Sequence, residues 1–189
     1  MKPGVRLSGG RFRGRGLAVP PGARPTEGRV REALFSIWRD CLENARVLDL
    51  FAGSGAVGLE ALGRGALRLV AVDADLRAVK ILESNVESLG QEVRGLVEIR
   101  RLGLPAGLSR LVQEGAGPFD LVFIDPPYNF GSYEELLAGL VPLLAAEDPE
   151  VAVEHSSRRD MPIEAAGLVR VDVRRYGESS VSFYRRGPE

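Results

Sequence analysis

The chain has 189 residues, with 25 lysines and arginines against 26 acids, one cysteine and one histidine. Cys41 alone cannot close an internal disulfide, Cys41 and His155 together are too few for a zinc site, and a histidine relay has little to draw on. No run approaches 18 apolar residues and no apolar signal core opens the chain, so a cytoplasmic protein without a membrane span is expected, as one domain with a substantial core.

Charge is unevenly placed. Residues 1–31 hold eight cations against Glu27 alone, a net of +7, which leaves −8 for the remainder. A basic arm on an acidic body is the electrostatic footprint of a nucleic-acid binder. Val5, Leu7, Phe12, Leu17 and Val19 alternate loosely with glycines and arginines around Ser8-Gly9-Gly10, which suits a small hairpin; a disordered basic tail is the alternative. The arm is placed at 1–24 and the main domain at 25–189. Pro25-Thr26-Glu27 reads as a helix start with Thr26 as its cap. Val30, Leu34, Ile37, Trp38, Cys41 and Leu42 form the apolar stripe of that helix, and Arg29 and Arg31 lie off it, able to face a polyanion.

Arg46 to Phe51 is a continuous apolar run suited to a parallel strand buried on both faces. It stops at Gly53-Ser54-Gly55, and a helical pattern begins directly, with Gly58 completing a G-x-G-x-x-G spacing. Glycines there let the backbone turn sharply, approach a ligand and bring helix against strand, while the free N–H groups of the helix face the ligand. Gly63 and Gly65 stop the helix. A second strand, near 67–73, ends in Asp73, 20 residues after Gly53, where a carboxylate can accept hydrogen bonds from both ribose hydroxyls. Dinucleotides and S-adenosylmethionine both fit such a turn. Asp49 favours the second, since a pyrophosphate has no use for a nearby anion while an ammonium and a sulfonium do.

Asp75 can cap a helix that buries Val79, Leu82, Val86 and Leu89 and ends at Gly90. A third strand is expected near 95–100, a short helix near 105–114, and a fourth strand over 119–124. Ser132-Tyr133-Glu134-Glu135 reads as a capping box, 151–154 as a fifth strand, and 168–176 with 179–184 as a closing antiparallel hairpin. Strands alternating with helices predict a doubly wound, mostly parallel, seven-stranded α/β sheet of Rossmann-like form, with ligands at the carboxyl ends of the strands.

Asp125-Pro126-Pro127-Tyr128 follows the fourth strand, which in such sheets neighbours the first. Prolines cannot donate backbone hydrogen bonds and hold φ near −65°, so the loop is stiff and presents acceptors. A carboxylate plus a backbone carbonyl can grip both N–H protons of an exocyclic amino group, and Tyr128 offers a face on which a flipped base stacks. Asp125, Pro126 and Tyr128 are therefore the expected catalytic set.

Asp49-Leu50-Phe51-Ala52-Gly53-Ser54-Gly55 together with Asp125-Pro126-Pro127-Tyr128 resembles the S-adenosylmethionine-dependent amino-methyltransferases. Gly9 to Arg15, Arg24-Pro25-Thr26 and Arg29 to Phe35 narrow the likeness to the bacterial 16S ribosomal RNA guanine-N2 methyltransferase family, over nearly the whole chain. The resemblance implies transfer of one methyl group to N2 of a single guanosine in small-subunit RNA, with assembled or partly assembled particles as partner and no metal. A monomer is expected. Asp49, Phe51, Gly53, Ser54, Gly55, Gly58 and Asp73 would hold the methyl donor, and Arg11, Arg13, Arg15, Arg29 and Arg31 the RNA. Relatives often carry Asp or Asn after the third strand for the adenine amino group; here Arg100-Arg101-Leu102-Gly103 stands in that place, with Glu98 as the nearby acid. Rival readings are an adenine-N6 methyltransferase, disfavoured by the lack of room for a target-recognition domain, a nicotinamide dehydrogenase, which leaves Asp49 unexplained, and a non-catalytic RNA-binding assembly factor.

Overall fold

The computed structural model describes residues 4–20 and 28–188. The chain divides into two compact units, one ending at Leu102 and one beginning at Gly103. The helix start expected at Pro25-Thr26 lies outside the described residues.

In the first unit, β1 (Val5–Arg6) and β2 (Gly16–Leu17) pair antiparallel, with Val5 opposite Leu17. The expected hairpin is present, and it is anchored. Leu7, Phe12 and Leu17 are buried, and a Cβ on Gly63 would stand 2.8 Å from the Phe12 ring. Helix α1 (Gly28–Ile37) follows. The central strands are β3 (Arg46–Leu50), β4 (Arg68–Asp73) and β5 (Val97–Arg101). β4 pairs parallel with β3 on one side, Asp49 opposite Ala71, and with β5 on the other, Asp73 opposite Arg101. Val47, Leu48, Leu50 and residues 69–72 have almost no exposed surface, as expected of parallel strands covered on both faces. Helix α2 (Ala56–Gly63) is buried along its whole length. Helix α3 (Leu76–Leu89) is amphipathic, capped by Asp75, whose carboxylate accepts from the Arg77 N–H at 2.9 Å, and closed by Gly90. A one-turn helix, α4 (Gln91–Arg94), leads into β5.

The second unit contains α5 (Leu108–Gln113), β6 (Leu121–Ile124), α6 (Tyr133–Leu140), β7 (Glu150–Ser156), β8 (Glu164–Ala165), β9 (Leu168–Tyr176) and β10 (Ser179–Arg186). β6 and β7 are parallel, whereas β10 runs antiparallel to both β7 and β9. The seven strands expected of the main sheet are thus present, and the two-residue β8 is added at the edge of β9. Ser132 is the residue before α6 but makes no side-chain cap, so the capping box read from the sequence does not form.

Helix α1 and the turn after it bury Val30, Leu34, Trp38 and Leu42 of the expected stripe, but not all of it. Val30, Arg31, Leu34 and Phe35 are buried with Trp38, whose ring meets Phe35 edge-on at 6.2 Å. Ile37 and Cys41 are exposed. The short 3-10 turn at Trp38–Asp40 breaks the α period, so extrapolating the stripe to Cys41 misplaced it. The buried face also extends beyond the expected stripe to Phe35 and to Arg31, at 2 % exposure.

Burying that charge requires a counter-charge, and Glu60 of α2, itself without exposed surface, supplies it. Arg31 Nε lies 3.5 Å from one Glu60 oxygen. Glu60 also accepts from the Ser8 N–H at 3.0 Å, the Ser8 hydroxyl at 2.6 Å and Arg64 at 2.7 Å. One carboxylate therefore ties hairpin, α1 and α2 together. Glu60→Ala is expected to lower unfolding stability by about 3–5 kcal/mol, because it strands the buried Arg31 guanidinium; a chemical-denaturation midpoint within error of wild type would contradict this.

Candidate cofactor turn and base-holding loop

At the end of β3 the chain turns through three closely spaced constraints. Phe51 has φ +61°, Gly53 +55° and Gly55 +77°. A bulky residue in the left-handed region is strained by roughly 1–3 kcal/mol and persists only where its surroundings dictate it. Ala52 donates to the Val72 carbonyl at 3.0 Å and Gly55 to the Ala52 carbonyl at 2.7 Å, which fixes the turn against β4. Helix α2 then starts at Ala56 with Gly55 before it, a residue with no side chain to cap the helix. Asp49, 2 % exposed, does so from the strand: its Oδ2 accepts the Gly58 N–H at 3.0 Å. Glycine at 58 lets helix and strand close up, since a Cβ would come within 2.6 Å of the Leu69 side chain and 3.0 Å of the Asp49 carboxylate. A Cβ at Gly55 would meet Leu82 at 2.1 Å, whereas the Cβ direction of Gly53 is open. Two of the glycines thus serve packing, and the third leaves backbone accessible to a ligand.

Asp73 stands at the end of β4 as expected. Its Oδ2 accepts the Gly53 N–H at 2.8 Å and its Oδ1 the Asp75 N–H at 2.9 Å. The carboxylate is therefore held in one orientation by the very turn it serves. Ser54 is buried, and its carbonyl accepts from Asn85 Nδ2 at 2.9 Å. Sequence reasoning missed Asn85, an amide on the buried face of α3. It also accepts the Ala18 N–H at 2.8 Å and donates to the Ala18 carbonyl at 2.9 Å, so it clamps the hairpin to the glycine turn. The detectable signal is a polar residue inside an apolar helical stripe.

Glu98 is no candidate for an adenine amino group. It lies within β5 and is paired at 2.5 Å with both Arg68 and Arg100. The first backbone beyond β5 is fixed by the Leu102 N–H on the Asp73 carbonyl at 3.1 Å.

In the second unit, Asp125 and Pro126 at the end of β6 are half-buried, and Tyr128 is 63 % exposed. The loop is closed by the Phe130 N–H on the Pro127 carbonyl at 2.8 Å, and Phe130 packs edge-on against Tyr133 at 5.0 Å. Burial pushes the Tyr133 phenol above its ordinary range; Asp125 adds to this and Arg159, stacked 4.8 Å over the ring, opposes it. A cavity of about 560 Å³, walled in part by Gly131, Tyr133, Arg159 and Met161, begins three residues after Tyr128.

The arginines expected on RNA divide. Arg13 and Arg29 are exposed. Arg11 is exposed, 3.7 Å from Glu92 and 4.7 Å over the Phe12 ring, and Arg15 donates to the Ser88 carbonyl. Arg31 is corrected: enclosed by Glu60 and donating to the Arg6 carbonyl at 2.7 Å, it holds the fold and presents no charge outward.

His155 is buried, its Nδ1–H donating to the Ser156 carbonyl at 2.9 Å and its Nε2 facing the Ser182 hydroxyl at 2.8 Å. Burial, with lesser contributions from Arg170 and Arg159, holds the imidazole below its usual range. The unfolded chain therefore binds this proton more readily, so the neutral ring's contribution to stability is complete above about 6.5 and is lost as pH falls towards the folded value. Thermal melting of His155→Gln against wild type across about pH 5–8 should show a smaller loss below about 6.5 in the variant; parallel curves would contradict the assignment.

A mostly parallel sheet with a glycine turn after its first long strand, an acid ending the next and a closing antiparallel hairpin is the Rossmann-like methyltransferase fold. Among solved structures, the chain superposes on yhhF of Escherichia coli, a methyltransferase by provisional name, with a TM-score of 0.83 and 33% identity over 98% of this chain and 99% of that one. A hypothetical protein of Thermus thermophilus gives 0.77 at 34% identity over 95% and 98%. Residues 5–185 match the family model described as Conserved hypothetical protein 95, and the chain belongs to that family. It is 31% identical to YlbH of Bacillus subtilis (strain 168), provisionally named an rRNA methyltransferase, over 96% of this chain and 99% of the relative. It is 40% identical to ribosomal RNA small subunit methyltransferase D of Escherichia coli (strain K12), over 70% of this chain and 65% of that protein.

Proposed function

We propose that the chain transfers a methyl group from S-adenosylmethionine to the exocyclic N2 of one guanosine in 16S ribosomal RNA, within the small subunit or an assembly intermediate. The observation that carries this reading is the Gly53–Asp73 hydrogen bond: it orients a carboxylate, at a ribose-binding place, towards the one glycine of the turn whose side-chain direction is open. The family and the rRNA methyltransferase names among its members supply the substrate class.

The residues fit the methyl donor. Asp49 supplies negative potential beneath the turn, suited to the ammonium and sulfonium of S-adenosylmethionine, and Asp73 has acceptor capacity left for ribose hydroxyls. Phe51, Ser54 and Gly55 complete the cradle. When bound, the donor supplies an electrophilic methyl on a positively charged sulfur. Asp125 and the Pro126 carbonyl hold the two amino protons, which aims the nitrogen lone pair, and Tyr128 stacks on the flipped base. Asp125 would also accept the proton that the amino nitrogen gives up on methylation. The exposed Arg11, Arg13, Arg15 and Arg29 attract the RNA backbone.

Two substitutions separate these roles. Asp73→Ala is expected to weaken S-adenosylmethionine binding in titration calorimetry by about 1–3 kcal/mol, the cost of a lost charged acceptor. Asp125→Ala is expected to leave that affinity close to wild type while methyl transfer falls by orders of magnitude. Unchanged cofactor affinity in the first variant, or near-full turnover in the second, would overturn the assignment of that residue.

A further inference from the structure

The second unit carries a cluster of cations that the proposed methyl transfer does not use. Residues 158–175 contain five arginines against Asp160, Glu164 and Asp172, although residues 32–189 as a whole are acidic by eight charges. The cluster is organised by the antiparallel sheet. Ser180 of β10 is register partner to His155 of β7 on one side and Arg175 of β9 on the other, so the three side chains share one sheet face. That face lines a cavity of about 260 Å³ together with Ser157, Arg159, Asp160 and Arg170.

Its donors are held in place but not consumed. Arg170 gives Nη1 to the Met161 carbonyl at 2.7 Å, which anchors it and leaves further N–H groups. Arg159 is stacked on Tyr133 and reaches the Gly131 carbonyl at 3.4 Å. The neighbouring Arg174 is taken up by Asp172 at 2.7 Å, whereas Arg175 has no ion-pair partner among the described residues. The Ser157 hydroxyl donates to the Gly177 carbonyl at 3.0 Å and lies 2.9 Å from the Ser180 hydroxyl, so the serines satisfy each other and the guanidinium groups are the donors left over. Three guanidinium groups line the cavity with one carboxylate, Asp160. The excess of donors fits a tetrahedral anion, and the volume takes a phosphate with part of its sugars.

We infer that this cavity binds a backbone phosphate of the RNA substrate, as a second anchoring point besides the N-terminal arm. The inference rests on the RNA methyltransferase reading for its choice of anion. Arg159, Arg170 and Arg175 grip the phosphate through the N–H groups they have left. Such a contact positions the RNA without reading its sequence.

The test is a salt series of RNA-binding measurements with small-subunit RNA on wild type, on Arg159→Gln/Arg175→Gln, and on Arg77→Gln, an exposed cation on α3, as the charge control. Arg170 is left intact because it supports the backbone. Loss of one phosphate contact should flatten the slope of log affinity against log salt by about 1 and lower affinity at physiological salt by roughly tenfold, with Arg77→Gln unchanged. A slope and affinity equal to wild type in the double variant would overturn the inference, as would a wild type that binds no RNA. Inorganic phosphate, titrated at constant ionic strength, distinguishes a small-anion site: if it binds wild type and not the double variant while RNA binding is the same in both, the RNA assignment is wrong. Methyl transfer is scored separately. RNA that binds with the expected slope change but is never methylated would remove the proposed function and leave the phosphate site standing.

Discussion

The buried carboxylate of Asp49 on the Gly58 N–H is the contact on which the cofactor turn depends. A helix start needs its free N–H groups satisfied, and with glycine before it α2 has no side-chain cap of its own. Asp49 provides one from the adjoining strand, which brings helix and strand so close that a Cβ at position 58 would press on the Leu69 side chain and on the Asp49 carboxylate itself. That approach forces the intervening residues into a tight loop and sends Phe51, Gly53 and Gly55 into the left-handed region. Asp73 then closes the loop from β4 and Asn85 from α3. The same acid that favours a cationic ligand is thus also structural.

Much of this was legible in the sequence. Strand ends, the glycine spacing, the Asp75 cap and the closing hairpin all follow from local rules, and they appear within a few residues of where those rules put them. What was hidden depends on tertiary partners. Arg31 reads as an outward charge because nothing near it in sequence announces Glu60, far along the chain. Asn85 looks like an ordinary helix residue until Ala18 and Ser54 are brought to it. Glu98 reads as an acid available to adenine until Arg68 of the neighbouring strand joins Arg100, two residues along β5, in pairing with it. The capping box at Ser132 does not form, since Ser132 sits at φ −93° and ψ 45°, outside the extended region a capping residue takes.

The distribution of cations has the same lesson for recognition. The net charge of the first 31 residues suggests one uniform arm, yet its arginines divide into those that build the unit, Arg31 above all, and those that remain exposed, such as Arg13 and Arg29. In the second unit the reverse holds. An acidic average conceals a sheet face on which Arg175, Ser180 and His155 are brought into register. Composition reports attraction to a polyanion, but only the fold decides which cations are available for it.

The central claim is that the amino group held by the Asp125 loop is N2 of guanine, in small-subunit RNA. Its most direct test is incubation of the protein with S-adenosylmethionine labelled in the methyl group and with small-subunit particles lacking the modification, followed by digestion and identification of the labelled nucleoside. The account predicts label in N2-methylguanosine alone, at one nucleotide. Label in N6-methyladenosine, or particles that remain unlabelled while the protein binds its methyl donor, would contradict it.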